Sequence, residues 1–228
     1  MYYIQGEYVH FSFILKEKES FGELFDYIDL PQFSPYSKTI ELIGRETDII
    51  EYIDIMEDNS FEKFQHYQMW EMNRKKCELP FRYEDIAPLY SDITVCRTDT
   101  SMIDEIENVL HQAFSDEVAR FPSRKKITEM INDEELICAK VNDAVVGVYL
   151  YEMVSSSTCY LHMLACSTEY NGSGAGILLL SYILSEYDKI SNFWAWVEEN
   201  NHDSNRIIKS YGFEKNDFLK YYVMRKGV

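Results

Sequence analysis

With 228 residues, 22 Lys and Arg against 39 Asp and Glu, the chain can bury one large or two small cores, and its formal charge of −17 argues against binding a phosphate backbone, which calls for concentrated positive charge. The acidity is spread, with nine basic against eighteen acidic residues over 1–90 and thirteen against twenty-one over 91–228, so it reads as a solubility device or, more sharply, as attraction for a cationic amine. No apolar run spans a bilayer, the start MYYIQGEYVH lacks a signal peptide's apolar stretch, and five cysteines without CxxC spacing suggest neither a disulfide framework nor a metal site, so a soluble protein of the reducing cytoplasm is expected.

In the first ninety residues, Val9 to Leu15 alternates as a strand, and Ser20 with Glu23 forms a capping box before a helix through Ile28. A strand near Thr39 to Ile43 follows, then a helix with Ile49, Ile50, Ile53 and Met56 inward. Phe61-Glu62-Lys63 with Met72 has the spacing of Phe213-Glu214-Lys215 with Met224, an internal echo or a coincidence over a few residues. From Ile93 onward the elements are a strand to Arg97, a helix over Thr100 to Phe114 and a short helix opened by Pro122 and ending near Ile131. A hairpin over Leu136–Val141 and Val145–Met153 turns at Asn142-Asp143, and Thr158 to Cys166 forms a further strand. An apolar helix from Ile177, a strand over Phe193–Val197, a helix over Ser204–Tyr211 and a strand over Phe218–Met224 complete the series.

The junction LACSTEYNGSGAG, Leu164 to Gly176, carries the most chemistry: a strand enters a glycine-rich loop and then a helix, whose free N–H groups and dipole favour an anion. A Walker A loop is excluded because no Gly-Lys-Ser/Thr ending is present, and a dinucleotide fingerprint lacks its third glycine near Ile177 and its early place in a βαβ unit. The flanking residues decide the matter. LACSTEYNGSGAG resembles motif A of the GNAT superfamily of N-acetyltransferases, with Asn171, Gly174 and Gly176 at the signature positions of its R/QxxGxG/A loop, and NHDSNRIIKSYGF, Asn201 to Phe213, is similar to the family's NxxAxxLYxxxGF motif.

The resemblance covers roughly residues 93–228. It implies a mixed-sheet α/β GNAT fold with a catalytic domain at 91–228; residues 1–90 read as an N-terminal α/β module, which the internal echo, if it is a repeat and not a coincidence, makes a degenerate half of the same fold. It further implies transfer of acetyl from acetyl-CoA to a primary amine of a small molecule, or of a peptide or protein, by direct attack. The coenzyme pyrophosphate would be held by Asn171, Gly172, Ser173, Gly174, Ala175 and Gly176, with Asn201 and Ser204 behind them. The backbone of Leu164 would polarise the thioester carbonyl and that of Cys166 would hold the pantetheine arm. His162, in a segment YLHMLAC similar to that of arylalkylamine N-acetyltransferases, would be the general base, with Tyr160 on the same face lining the amine pocket or anchoring a water; a core histidine is the alternative. Tyr149 and Tyr151 would line that pocket or pack on the sheet.

Two departures qualify this. The family's general-acid tyrosine falls on Ile208, which cannot donate a proton, leaving Tyr211, water or an unassisted thiolate, and Asn171 replaces a cation or a longer amide. Both departures allow a second reading, a non-catalytic acyl-CoA-binding or interaction module. The fold's edge strands are compatible with a homodimer, and neither nucleic acid nor membrane is expected as a partner.

Overall fold

The computed structural model describes residues 1–12, 21–115 and 121–227. In chain order the elements are β1 (Tyr2–Gln5), β2 (Tyr8–Phe11), α1 (Phe21–Ile28), β3 (Ser37–Arg45), α2 (Glu46–Asp58), β4 (Glu62–Asn73) and the single turn α3 (Tyr83–Ile86). They continue with β5 (Thr94–Arg97), α4 (Ile103–Ala113), α5 (Arg124–Asn132), β6 (Leu136–Val141), β7 (Ala144–Ser155), β8 (Thr158–Cys166), α6 (Ala175–Glu186), β9 (Asn192–Glu198), α7 (His202–Ser210) and β10 (Glu214–Arg225). This is a mixed α/β fold, as expected. Among the described residues no helix is long and apolar enough to cross a membrane.

Compactness divides the chain otherwise than at residue 90. Of the described residues, 1–12, 21–68 and 217–227 form one unit, and 69–115 and 121–216 form the other. In the first unit β1 is antiparallel to β2, β2 is parallel to β3, and β3 is antiparallel to β10 from Phe218↔Arg45 to Arg225↔Lys38. Val9, Phe11, Ile28, Ile40, Ile49, Ile53, Met56 and Phe61 bury with Leu219 and Val223 of β10, so the strand that ends the alternating pattern of the second half packs with the first. The expected helix face of α2 is thus right except at Ile50, which is exposed. The expected strand Val9–Leu15 is observed as Tyr8–Phe11; its remainder from Phe13, and Ser20 of the proposed capping box, lie outside the described residues.

The second unit has β5, β6, β7 and β8 in antiparallel succession and β9 parallel to β8. One face packs on α6 through Tyr149, Tyr151, Leu161, Leu178, Leu179, Ile183, Phe193 and Ala195; the other packs on α4 and α5 through Ile106, Val109, Leu110, Ile127, Val148, Leu150 and Met163. Trp70, Met72, Ile86 and Ile93 belong to the α6-side core, which is why residues 69–92 go with this unit and not with the segment that precedes them.

Local chemistry accounts for most element ends. The hairpin turns at Asn142 and Asp143, whose φ values of 48° and 67° are the paired left-handed conformation that a tight two-residue turn needs and that these residue types tolerate. Asp99 caps a 3₁₀ turn over Thr100–Met102 by accepting the Ser101 N–H at 2.8 Å, and α4 continues from it. Pro122 does not open α5. Ser123 is the N-cap, its hydroxyl oxygen accepting the Lys126 N–H at 3.3 Å, so the helix begins at Arg124, with Pro122 just before the cap. Asn201 caps α7 by accepting the Ser204 N–H at 3.0 Å.

Candidate active site

The site is built around an irregularity of β8. Its ladder with β7 runs Tyr149↔Leu164 and Leu150↔Met163 and then jumps to Tyr151↔Leu161, which leaves His162 as the extra residue of a β-bulge. A bulge bends its strand and re-aims a side chain, and here it changes which face each side chain takes. Before it, Cys159 and Leu161 enter the α6-side core; after it, Met163 and Ala165 enter the α4-side core, while Leu164 and Cys166 pack toward α6. Simple alternation therefore fails across His162. The same irregularity coincides with a parting of strands: parallel pairing with β9 runs from Thr158↔Asn192 to Leu161↔Ala195 and stops, although β8 continues to Cys166 and β9 to Glu198. The backbone of Leu164 and Cys166 stands beyond the last paired position, beside the opening.

His162 is exposed at this point, with its ring 5.1 Å from that of the half-buried Tyr160, so the two expected neighbours do meet. Tyr160 also stacks on Trp194 of β9, centroids 4.0 Å apart and planes within 12°. Register supplies the reason: Tyr160↔Trp194 is one of the parallel pairs. Trp194 and Trp196 face away from the α6-side core that takes Phe193, Ala195 and Val197, and both are half-buried.

The loop beyond β8 makes one 3₁₀ turn at Thr168–Tyr170 and then uses glycine where no other residue fits easily. Gly172 and Gly174 have φ values of 79° and 97°, and Gly174 is the N-cap of α6. Nothing lies within 4 Å of where a Cβ on Gly172 would stand, so the outer side of the loop is open. Ser173 Oγ accepts the Ala175 N–H at 3.4 Å, and the Leu178 N–H reaches the Gly174 carbonyl at 3.0 Å to start the helical ladder. The first turn of α6 carries no acidic residue of its own to oppose an anion at the helix's positive end. Asn171 is exposed at the loop's edge. A glycine-lined cradle at a helix start fits a pyrophosphate.

Several expected roles meet a different environment. Tyr211 is fully buried, its hydroxyl bonded to Ser181 Oγ of α6, and burial holds the phenol above its ordinary range against that hydrogen bond. It is a core residue in this conformation. Ser181→Ala, which strands that hydroxyl, is expected to cost about 1–3 kcal/mol in denaturant unfolding, while Tyr211→Phe should leave turnover unchanged; a collapse of kcat in Tyr211→Phe would restore it as an acid. Ile208 is buried and apolar. Burial pushes the Cys166 thiol up to about 11, opposed by the Gly176 N–H, so it is no thiolate nucleophile near neutrality. Of the tyrosines expected around an acceptor, Tyr149 packs in the α6-side core, and Tyr151 is fixed by bonds to the Glu134 carbonyl at 2.5 Å, Tyr187 Oη at 2.9 Å and Arg97 Nη1 at 3.1 Å. Tyr160 has its ring beside that of His162.

Sequence reasoning missed three features: the bulge, the Tyr160–Trp194 stack, and the contact of Tyr90 with Gly174, where a Cβ would fall 2.1 Å from the tyrosine ring. The stack had a signal in the alternating Trp194 and Trp196. The bulge had none, since YLHMLAC contains no glycine or proline.

Residues 103–213 match the model of the acetyltransferase (GNAT) family. Comparison with curated proteins gives no match. Among solved structures, a GCN5-related N-acetyltransferase from Sphaerobacter thermophilus superposes with a TM-score of 0.67 at 12% identity, covering 96% of this chain and 72% of that one. A tandem GNAT protein from the clavulanic acid biosynthesis pathway gives 0.62 at 9% identity, covering 97% of this chain and 76% of that one. A GCN5-related glucosamine N-acetyltransferase region of a fungal multi-domain GH3 β-N-acetylglucosaminidase gives 0.69 at 10% identity, covering 95% of this chain and 29% of that one. These likenesses establish the fold, and the family match makes residues 103–213 a GNAT-type acyltransferase domain.

Proposed function

We propose, with this GNAT acyltransferase domain as the premise, that the protein transfers an acetyl group from acetyl-CoA to a primary amine of a small molecule by direct attack. The observation that carries the reading is the bulged, parted end of β8, with exposed His162 on it and the glycine cradle of α6 following directly. Acetyl-CoA would supply an activated acyl group on a thiol leaving group. Asn171 to Gly176 would hold its pyrophosphate through backbone N–H groups and the Asn171 amide. Asn201 and Ser204, one capping the other, would set the start of α7 behind it.

The residues then divide the work by chemistry. The Leu164 N–H stabilises the negative charge that develops on the carbonyl oxygen, and that of Cys166 orients the pantetheine amides. His162 takes the proton that the amine must lose, directly or through water, while the Tyr160–Trp194 stack forms an aromatic wall beside it. One C–N bond forms and one C–S bond breaks, and the departing thiolate takes its proton from solvent, since the Tyr211 hydroxyl is engaged with Ser181. An assay of free thiol release from acetyl-CoA over an amine panel tests this: amine-dependent release is expected, and saturable coenzyme binding without release over the panel would favour a non-catalytic binding module.

The first ninety residues are read as a degenerate half of the same fold. Support comes from order and pairing: β2–α1–β3–α2–β4 repeats β8–α6–β9–α7–β10, and the first two strands of each series are parallel neighbours.

A further inference from the structure

We propose that residues 74–92, which precede the matched family domain, form a strap along α6 whose last ring, Tyr90, holds the coenzyme loop in its binding conformation. The inference rests on the coenzyme reading of that loop.

The strap is fixed at both ends of α6. At the helix C-terminal end, the Arg74 guanidinium donates to the carbonyls of Leu184 and Tyr187, each at 2.8 Å, satisfying acceptors that a helix end leaves open. Farther along, the Tyr83 N–H donates to Ser185 Oγ at 2.9 Å and its ring meets Tyr182 edge-on at 5.2 Å. Between the buried side chains of Ile86 and Ile93, the chain makes a 3₁₀ turn over Ala87–Tyr90, closed by the Ile93 N–H on the Tyr90 carbonyl at 2.9 Å. That turn delivers the Tyr90 ring onto Gly174: an ideal Cβ there would lie 2.1 Å from Cε1, 2.5 Å from Cδ1 and 2.7 Å from Cζ.

Gly174 sits at φ 97°, and glycine is free to leave that conformation. A ring seated on its Cα removes the alternatives, and the hold on the other end of α6 keeps helix and loop in one register. The loop is then ordered before the coenzyme arrives, which is the general route by which preorganisation raises affinity. The contact of Tyr90 is with the loop glycine and not with a group assigned a chemical step, so its role is positioning.

Calorimetric titration of acetyl-CoA into the full chain, with turnover measured on the same samples, tests this. Tyr90→Ala should raise Kd and the KM for acetyl-CoA by about tenfold with kcat at saturation retained. Tyr90→Phe should restore the original affinity, and Ile43→Ser, 54% exposed on β3 and outside the strap, should change neither. If Tyr90→Ala loses its thermal transition, Tyr90→Leu carries the same test with volume retained. Equal affinity in the unaltered protein and the Ala variant overturns the clamp alone, as does tighter binding, which would mean that the ring blocks the loop. No binding by the unaltered protein overturns the coenzyme reading and the clamp together.

Discussion

Gly174→Val is expected to weaken acetyl-CoA binding at least about a hundredfold, the equivalent of about 2.7 kcal/mol. Two costs reach that figure together. A β-branched residue at φ 97° leaves its allowed region, at about 1–3 kcal/mol. Its Cβ would also fall 2.1 Å from the Tyr90 ring, so either the ring or the loop must move. The loop has an easy escape, since Gly172 beside it has open space, and the relaxed loop no longer presents its N–H groups together. Stability should change less than affinity, because the residues displaced are at the surface edge of the α6-side core. Titration of acetyl-CoA with thermal unfolding of the same variant separates the two; unchanged affinity would mean that the pyrophosphate is held elsewhere.

His162→Ala is expected to lower kcat about a hundredfold, at the lower end of what a positioned general base contributes. Acetyl-CoA affinity should stay within experimental error, since His162 lies on the strand before the loop. The side chain is exposed on a bulge, so its removal empties no core and stability should shift by no more than about 0.5 kcal/mol. The pH profile gives the discriminating readout. A base must be neutral to accept a proton, so the fall of kcat on the acid side should be present in the unaltered protein and absent from His162→Ala. A His162→Ala enzyme with the same kcat across the pH range would remove the assignment.

The legible parts of the molecule were those written in local chemistry. Asn142-Asp143 specified its turn, because few pairs adopt two successive left-handed conformations, and the spacing of Ile106, Val109 and Leu110 marked a buried helix face. The loop from Asn171 to Gly176 was readable because its glycines serve a backbone need. Long-range arrangements were not readable. The alternation of β10 did not reveal that Leu219 and Val223 would bury with Ile40 and Ile53, since a strand pattern gives faces and not partners. Nor did it separate residues 69–92 from the segment before them. Period-two reasoning placed Tyr160 and His162 together but could not foresee that the bulge at His162 turns Leu164 toward α6. The aromatic residues show the same limit: the sequence left Tyr149 and Tyr151 between pocket and sheet packing, and the structure puts Tyr149 in the α6-side core and bonds Tyr151 to Glu134, Tyr187 and Arg97.

The central claim, acetyl transfer at the bulged end of β8, meets its most direct test in amine-dependent release of free thiol from acetyl-CoA by the full chain, run beside Gly174→Val. The expected result is release that needs both the unaltered loop and one class of primary amine. Release that is equal in Gly174→Val, or that no amine in a broad panel increases over the background hydrolysis of acetyl-CoA, would contradict it.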